Sequence, residues 1–289
     1  MRVRFCFFLL LIISRAVADT SGMHIAVSDL IADHIEATIQ TLAEDHSANV
    51  SVSSMGSLPA IDSLYADEIL LAVIAAPEDA PPPEEPFKTI PFAYSTAVVA
   101  VNVVNPISEV SVHDLRGIFG ADPDLNIELW GELGVLNLAN RPIRPLVKKN
   151  ETSISAELFQ HTVLQGGMMK LRVNEIIDAE IEGMLVDNAA AIAVLPHVPD
   201  NATIKALMIS ADSGSPAFGP TNDNVYYGDY PIRLPFQIVY KKENEAKLVG
   251  LLQILLSDEV ADALRAGRLH VPPDTIREGF ANSLSPDRF

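Results

Sequence analysis

The 289-residue chain carries 20 Lys and Arg against 38 Asp and Glu, a formal net charge of −18. A field of that sign repels polyanions and argues against nucleic acid or an anionic membrane surface as partner. Hydrophobic residues at 48% with 20% charged residues exclude a disordered chain, and 20 prolines, 15 glycines and one cysteine exclude collagen-like, disulfide-stapled and cysteine-ligated zinc scaffolds.

Arg2 and Arg4 precede an unbroken apolar run over residues 5–13, and Ala16-Val17-Ala18 follows as a small-x-small triplet. The run is far shorter than the ~20 residues of a spanning helix, so residues 1–18 read as a signal peptide cut after Ala18. Cys6 lies within the run with no lipid-attachment box ahead of it. Cleavage removes Arg2, Arg4, Arg15 and the cysteine but no acid, leaving a more acidic exported chain, periplasmic or otherwise secreted. Asn49, Asn150 and Asn201 open glycosylation-type tripeptides, which also arise by chance.

From His24 the pattern alternates. Residues 24–27 predict a strand, and Ile31, Ile35, Ile39 and Leu42 recur at helical spacing. Residues 50–54 predict a strand, 58–65 a helix, and 68–76 a strand buried on both faces. Residues 80–86, mostly proline and glutamate, cannot join a ladder and read as a surface loop. Residues 90–102 form a long β segment, 111–119 a capped helix, 142–148 a strand and 153–164 a helix. Residues 174–187 look helical, 189–195 and 204–209 look like strands, and 210–229 read as loop. A second long β segment covers 232–240, and two helices, 245–256 and 257–266, finish the chain before Gly267, a C-cap position.

Alternating strands and helices predict an α/β fold with mostly parallel sheets. The two long β segments would let the chain leave one lobe and return to it. The expected division is lobe 1 from 24–94 and 236–289, lobe 2 from 99–230, and a hinge at 95–98 and 231–235. A cleft between such lobes is where these folds bind ligands.

Several segments then carry a family likeness: Tyr94 to Asn102 (YSTAVVAVN); the helix ending Ile118-Phe119-Gly120, followed by Trp130-Gly131-Glu132-Leu133-Gly134; Arg144 to Lys149, then Ser153-Ile154-Ser155; the 189–194 strand (AAAIAV); and Tyr230-Pro231-Ile232-Arg233 with Val239-Tyr240-Lys241. In this order they resemble the PstS-like, phosphate-binding branch of the type II periplasmic solute-binding proteins, from about His24 to Pro273. The resemblance implies two lobes joined by two hinge strands and an anion held by helix-start N–H groups, hydroxyls, an arginine and a proton-reading aspartate. Carried over, the ligand-binding set is Ser28, Ser57, Lys149, Ser153 and Ser155. Lys149 stands where the arginine is expected, and a lysine is a point charge without the planar fork. Thr152 and Ile154 replace flanking glycines, and Ala75-Ala76-Pro77 stands where the family has Asp-Ala-Pro. Asp29, Glu78 and Glu151 are the candidate replacement acceptors.

Each of these residues also has an ordinary structural explanation. Lys148 and Lys149 suit a solvated strand end, and Ser28, Ser57, Ser153 and Ser155 suit helix caps. Trp130 reads as core, and Tyr226-Tyr227 as packing or as part of a cleft wall. No metal or cofactor motif and no nucleophile elbow are found. What the resemblance implies is a binding protein, not an enzyme, that delivers a small ligand, phosphate or another oxyanion, to a membrane ABC permease or presents it to a membrane sensor. The alternatives are a ligand-sensing or interaction protein with a decayed anion pocket, and an exported hydrolase. The expected state is a monomer without cofactor.

Overall fold

The computed structural model describes residues 22–81, 84–148, 154–176 and 180–284. The signal-peptide reading of residues 1–18, and Lys149, Glu151 and Ser153, lie outside them. Strands are β1 Met23–Ser28, β2 Val50–Met55, β3 Leu71–Ala75, β4 Phe87–Thr96, β5 Val98–Asn102, β6 Glu109–Ser111, β7 Arg144–Lys148, β8 Asn174–Ile176, β9 Ala191–Leu195, β10 Ile204–Ala206, β11 Met208–Ser210, β12 Ala217–Phe218 and β13 Arg233–Lys241. Helices are α1 Ala32–Asp45, α2 Ser57–Tyr65, α3 Val112–Phe119, α4 Ser155–Thr162, α5 Glu180–Asp187, α6 Asn222–Tyr227, α7 Glu245–Leu255, α8 Asp258–Ala266 and α9 Asp274–Ser283.

Two five-stranded sheets form the two lobes, ordered β2-β1-β3-β13-β4 and β10-β5-β9-β7-β8, beside a small β12-β11-β6 sheet. In lobe 1, β1 pairs in parallel with β2 and β3, while β13 runs antiparallel between β3 and β4. In lobe 2, β7 pairs in parallel with β8 and β9, while β5 runs antiparallel to β9 and β10. Each five-stranded sheet is thus half parallel rather than mostly parallel as expected, because one strand beside a crossing, β13 in lobe 1 and β5 in lobe 2, runs against both its neighbours.

Core formation follows the apolar spacing. Ile35, Ile39 and Ala43 are buried along one face of α1, which packs on α7 and α8. In α3 the Ser111 hydroxyl accepts the Asp114 N–H at 3.0 Å and the Asp114 carboxylate accepts the Ser111 N–H at 3.2 Å, a reciprocal cap contributing about 1 kcal/mol. Trp130 is fully buried and its indole N–H donates to the Ala190 carbonyl at 3.1 Å, tying the WxxLG segment to the entry of β9.

The lobes are joined at β4–β5 and at the approach to β13. Ala97 breaks the first long β segment; its N–H donates to the Ile232 carbonyl at 3.1 Å, and its carbonyl accepts the Tyr230 hydroxyl at 2.8 Å. Both crossings are therefore fastened to each other. Tyr94 exchanges backbone hydrogen bonds of 2.8 and 2.9 Å with His270, which fixes the segment after α8 to the same place.

Four local expectations differ. Residues 174–176 form the edge strand β8, parallel to β7, and the helix starts only in α5. An edge strand with Asn174 and Glu175 exposed has no alternation to mark it. Residues 210–229 contain β12 and α6; the Thr221 hydroxyl accepts the Asn224 N–H at 3.3 Å, and Gly228 ends the helix at φ +87°. Thr, Asn and Gly serve caps as readily as loops. A third terminal helix, α9, follows α8, held by Arg277 donating to the Leu256 carbonyl at 2.8 Å and to Asp258 at 2.6 Å. At the end of α8 the left-handed residue is Arg268, φ +63°, and Gly267 answers a different need: a Cβ there would lie 2.6 Å from the His34 ring.

Candidate ligand-binding cleft

The C-terminal ends of β1, β2 and β3 lie at one edge of the lobe 1 sheet, with Ser28 opposite Met55 and Val27 opposite Val73. That edge of an open α/β sheet is where loops and helix starts converge on ligands. Two cavities open there between the lobes, and Ile154, just ahead of α4, lines both. One, about 550 Å³, is polar and mixed in charge: Asp29, Asp33 and Arg268 from lobe 1 face Lys148 and His197 from lobe 2. The other, about 460 Å³, is walled by Pro77, Ile154, Leu158, Pro231 and Leu234, with Glu78, Asp79, Glu157, His161 and Arg233 also lining it.

An Arg–Asp ion pair and a His–Asp contact bridge the lobes, one beside each cavity. Arg268, after α8, meets Asp200, after β9, through both guanidinium ends at 3.2 and 2.5 Å. The charge-assisted hydrogen bonds from Arg268 hold the Asp200 carboxyl below its usual range. On the other flank His161 of α4 lies 3.2 Å from Asp79. A third bridge joins His270 Nδ1 to Asn222 Oδ1 at 2.8 Å. Burial pulls the His270 imidazole below its ordinary value.

Arg233 is the central cation of the hinge. It donates to Glu78 at 3.0 and 2.7 Å, to the Tyr226 carbonyl at 2.8 Å and to the Val225 carbonyl, and it lies 5.4 Å from the Tyr94 ring centroid. Burial pushes the Tyr94 phenol up to about 12 although Arg233 pulls the other way, so Tyr94 presents a neutral aromatic face. Tyr226 stacks edge-on between Tyr94 and Tyr227, which places the Tyr226-Tyr227 pair in packing around the hinge.

Two of the hydroxyls singled out from sequence, Ser28 and Ser57, have local partners. Ser28 closes β1 with 1% exposure, and its oxygen accepts the Leu30 N–H at 3.4 Å. Ser57 starts α2 and donates to the Ala75 carbonyl at 2.9 Å, clipping that helix to the end of β3. Ser155 starts α4 with 1% exposure. Lys148, the neighbour of Lys149, lines the polar cavity. Of the candidate acceptors, Asp29 lines the polar cavity and Glu78 is engaged by Arg233. Sequence reading missed Arg268, Asp200, His161 and Asp79, and it quoted Arg233 without a role. Each pairs across dozens of residues, and no local motif marks such a contact.

A family model described as the PBP superfamily domain matches residues 14–259. Among solved structures, a possible phosphate binding protein from Planctomyces limnophilus DSM 3776 is 17% identical over 91% of this chain and 97% of its own, with a TM-score of 0.68. An ABC-type phosphate transport receptor from Vibrio cholerae is 18% identical over 86% of this chain and 100% of its own, with a TM-score of 0.63. PstS from Borrelia burgdorferi is 13% identical over 87% of this chain and 98% of its own, with a TM-score of 0.70. At these identities the likeness is one of fold. A search of curated proteins finds no match.

Proposed function

The chain belongs to the PBP superfamily, and on that premise we propose that it is an exported solute-binding protein that closes two lobes around a small ligand for a membrane ABC importer. The observation that carries this reading is the position of both cavities, between the lobes and beside the paired crossings, with an Arg–Asp ion pair and a His–Asp contact reaching across the opening. Closure occurs about residues 95–98 and 231–235, between lobe 1 (24–94 with 236–289) and lobe 2 (99–230). Among the described residues no helix is long and apolar enough to cross a membrane. The protein does no chemistry in this reading; its output is a closed shape that a partner reads.

Phosphate or another oxyanion is the first ligand to test, supported by the printed names of the fold neighbours. The ligand-binding set proposed for it is Ser28, Ser57, Lys149, Ser153 and Ser155. Thermal unfolding with phosphate, sulfate or neither, at matched ionic strength, tests it. A ligand at 100 times its dissociation constant adds about 2.7 kcal/mol to the folded state. A rise with phosphate alone supports an acceptor that reads the ligand's proton; equal rises support a cleft that takes oxyanions without reading it. No rise with either removes the oxyanion.

A second reading, a ligand-sensing or interaction protein with a decayed anion pocket, is favoured by the engagement of Ser57 with Ala75 and by the lack of a carboxylate at 75–77. Phosphate uptake that persists after deletion of the gene supports it over delivery. Turnover of a generic ester substrate would instead point to a hydrolase.

A further inference from the structure

Resting on the reading of the interlobe cleft as a solute site, we infer that its apolar arm takes the hydrocarbon body of an organic amine. The arm measures about 460 Å³, within the range of roughly 300–1,000 Å³ that suits small organic ligands. Its walls are mostly hydrocarbon, from Pro77, Ile154, Leu158, Pro231 and Leu234, with the Thr162 hydroxyl as the one uncharged side-chain donor among the described lining residues apart from His161. An inorganic oxyanion there would lose its hydration without gaining the N–H and hydroxyl partners it needs. A hydrocarbon body, by contrast, is favoured by roughly 25 cal/mol for each Å² removed from water.

The charged groups of the arm decide the ligand's polar end. Arg233 gives its guanidinium to Glu78 and to the Val225 and Tyr226 carbonyls, and its side chain is only 14% exposed. His161 faces Asp79. The remaining charge is Glu157, on the exposed side of α4's first turn, with no hydrogen-bond or ion-pair partner among the described residues. Among the described lining residues the uncompensated sign is therefore negative, in a chain whose net charge of −18 draws cations inward. An ammonium group at Glu157, with its chain lying against Ile154 and Leu158, satisfies both features. A carboxylate in that position would face Glu157, Asp79 and Glu78 together.

Calorimetric titration of the purified protein with hexylamine, hexanoate and inorganic phosphate tests this. Hexylamine is expected to bind at least about 10-fold more tightly than hexanoate, a gap of ~1.4 kcal/mol. Glu157→Gln, a change at an exposed position, should weaken hexylamine by about 5-fold, the scale of one partly exposed ion pair. Ile154→Trp should fill the arm and abolish hexylamine binding, with circular dichroism confirming the fold. Hexanoate binding as tightly as hexylamine, or hexylamine binding unaltered in both variants, overturns the inference. So does the absence of hexylamine heat in the wild type. The phosphate arm is read separately: phosphate heat without hexylamine heat sinks the amine and leaves the solute-binding reading standing.

Discussion

Tyr230 fastens the second crossing to the first, and its removal measures how much of the stability resides there. The side chain is fully buried and its hydroxyl donates to the Ala97 carbonyl at 2.8 Å. Burial holds its phenol far above the ordinary ionisation range, so the group acts as a neutral donor at every working pH. Tyr230→Phe keeps the ring and removes the donor, leaving a carbonyl without that partner in a dry site, at a cost of about 1–2 kcal/mol. For a chain of this size, each kcal/mol shifts the melting temperature by a few degrees, so a fall of about 3–6 °C is expected. Tyr230→Ala adds a ring-sized cavity and should cost about 3–5 kcal/mol. Differential scanning calorimetry at pH 7 reads both. A Tyr230→Phe protein melting within about 1 °C of wild type would refute the argument that this bond carries the crossing.

Three further outcomes follow from the same geometry. Asp200→Asn removes the charge opposite Arg268 and should raise the radius of gyration in low-salt solution scattering, as the lobes part, while the melting temperature holds; an unchanged radius refutes the bridge as a closing contact. His270 is depressed by burial, so the unfolded chain takes up its proton first as pH falls; stability is full above about 6.5 and declines below it towards the depressed folded value. His270→Gln should flatten the part of that decline between pH 7 and pH 5, measured by thermal unfolding against wild type. Gly228→Ala forces a side chain onto φ +87° and places its Cβ 2.8 Å from Arg233 Nη2. The strain alone costs about 1–2 kcal/mol, and loss of protection at the Arg233 segment in hydrogen exchange would show that the guanidinium cradle has been displaced as well.

How much of this was legible in the sequence depends on the range of the contacts involved. Ile31, Ile35 and Ile39 announce α1 because about one helix turn separates each from the next, and Ser111 with Asp114 announces α3 because a capping box is complete within four residues. The run 68–76 reads as a buried strand because continuous apolar residues suit a strand covered on both faces, and β3 occupies its centre. The edge strand β8 and helix α6 escape because a three-residue edge needs no pattern and because cap residues double as loop residues. The half-antiparallel character of each sheet escapes for a different reason. In each sheet it is set by one reversed strand beside a crossing, β13 in lobe 1 and β5 in lobe 2, which carries that information only through its register with its neighbours.

The cleft is harder to read than the fold because its polar groups answer one another across the chain. Arg233 meets Glu78 at a separation of 155 residues, His161 meets Asp79 at 82 and Arg268 meets Asp200 at 68. A family motif names serines at helix starts, but a hydroxyl has the same residue type whether it faces a ligand or, like Ser57, a neighbouring carbonyl. What separates the two roles is the acceptor within reach, and that is fixed only when β3 ends beside α2. The same logic governs charge. Counted from sequence, Glu78, Asp79 and Glu157 are three equivalent acids; once folded, Arg233 engages Glu78 and His161 lies beside Asp79, and among the described residues lining that cavity Glu157 is the acid without a partner. Specificity in such a cleft resides in the residues left over after the fold has satisfied its own.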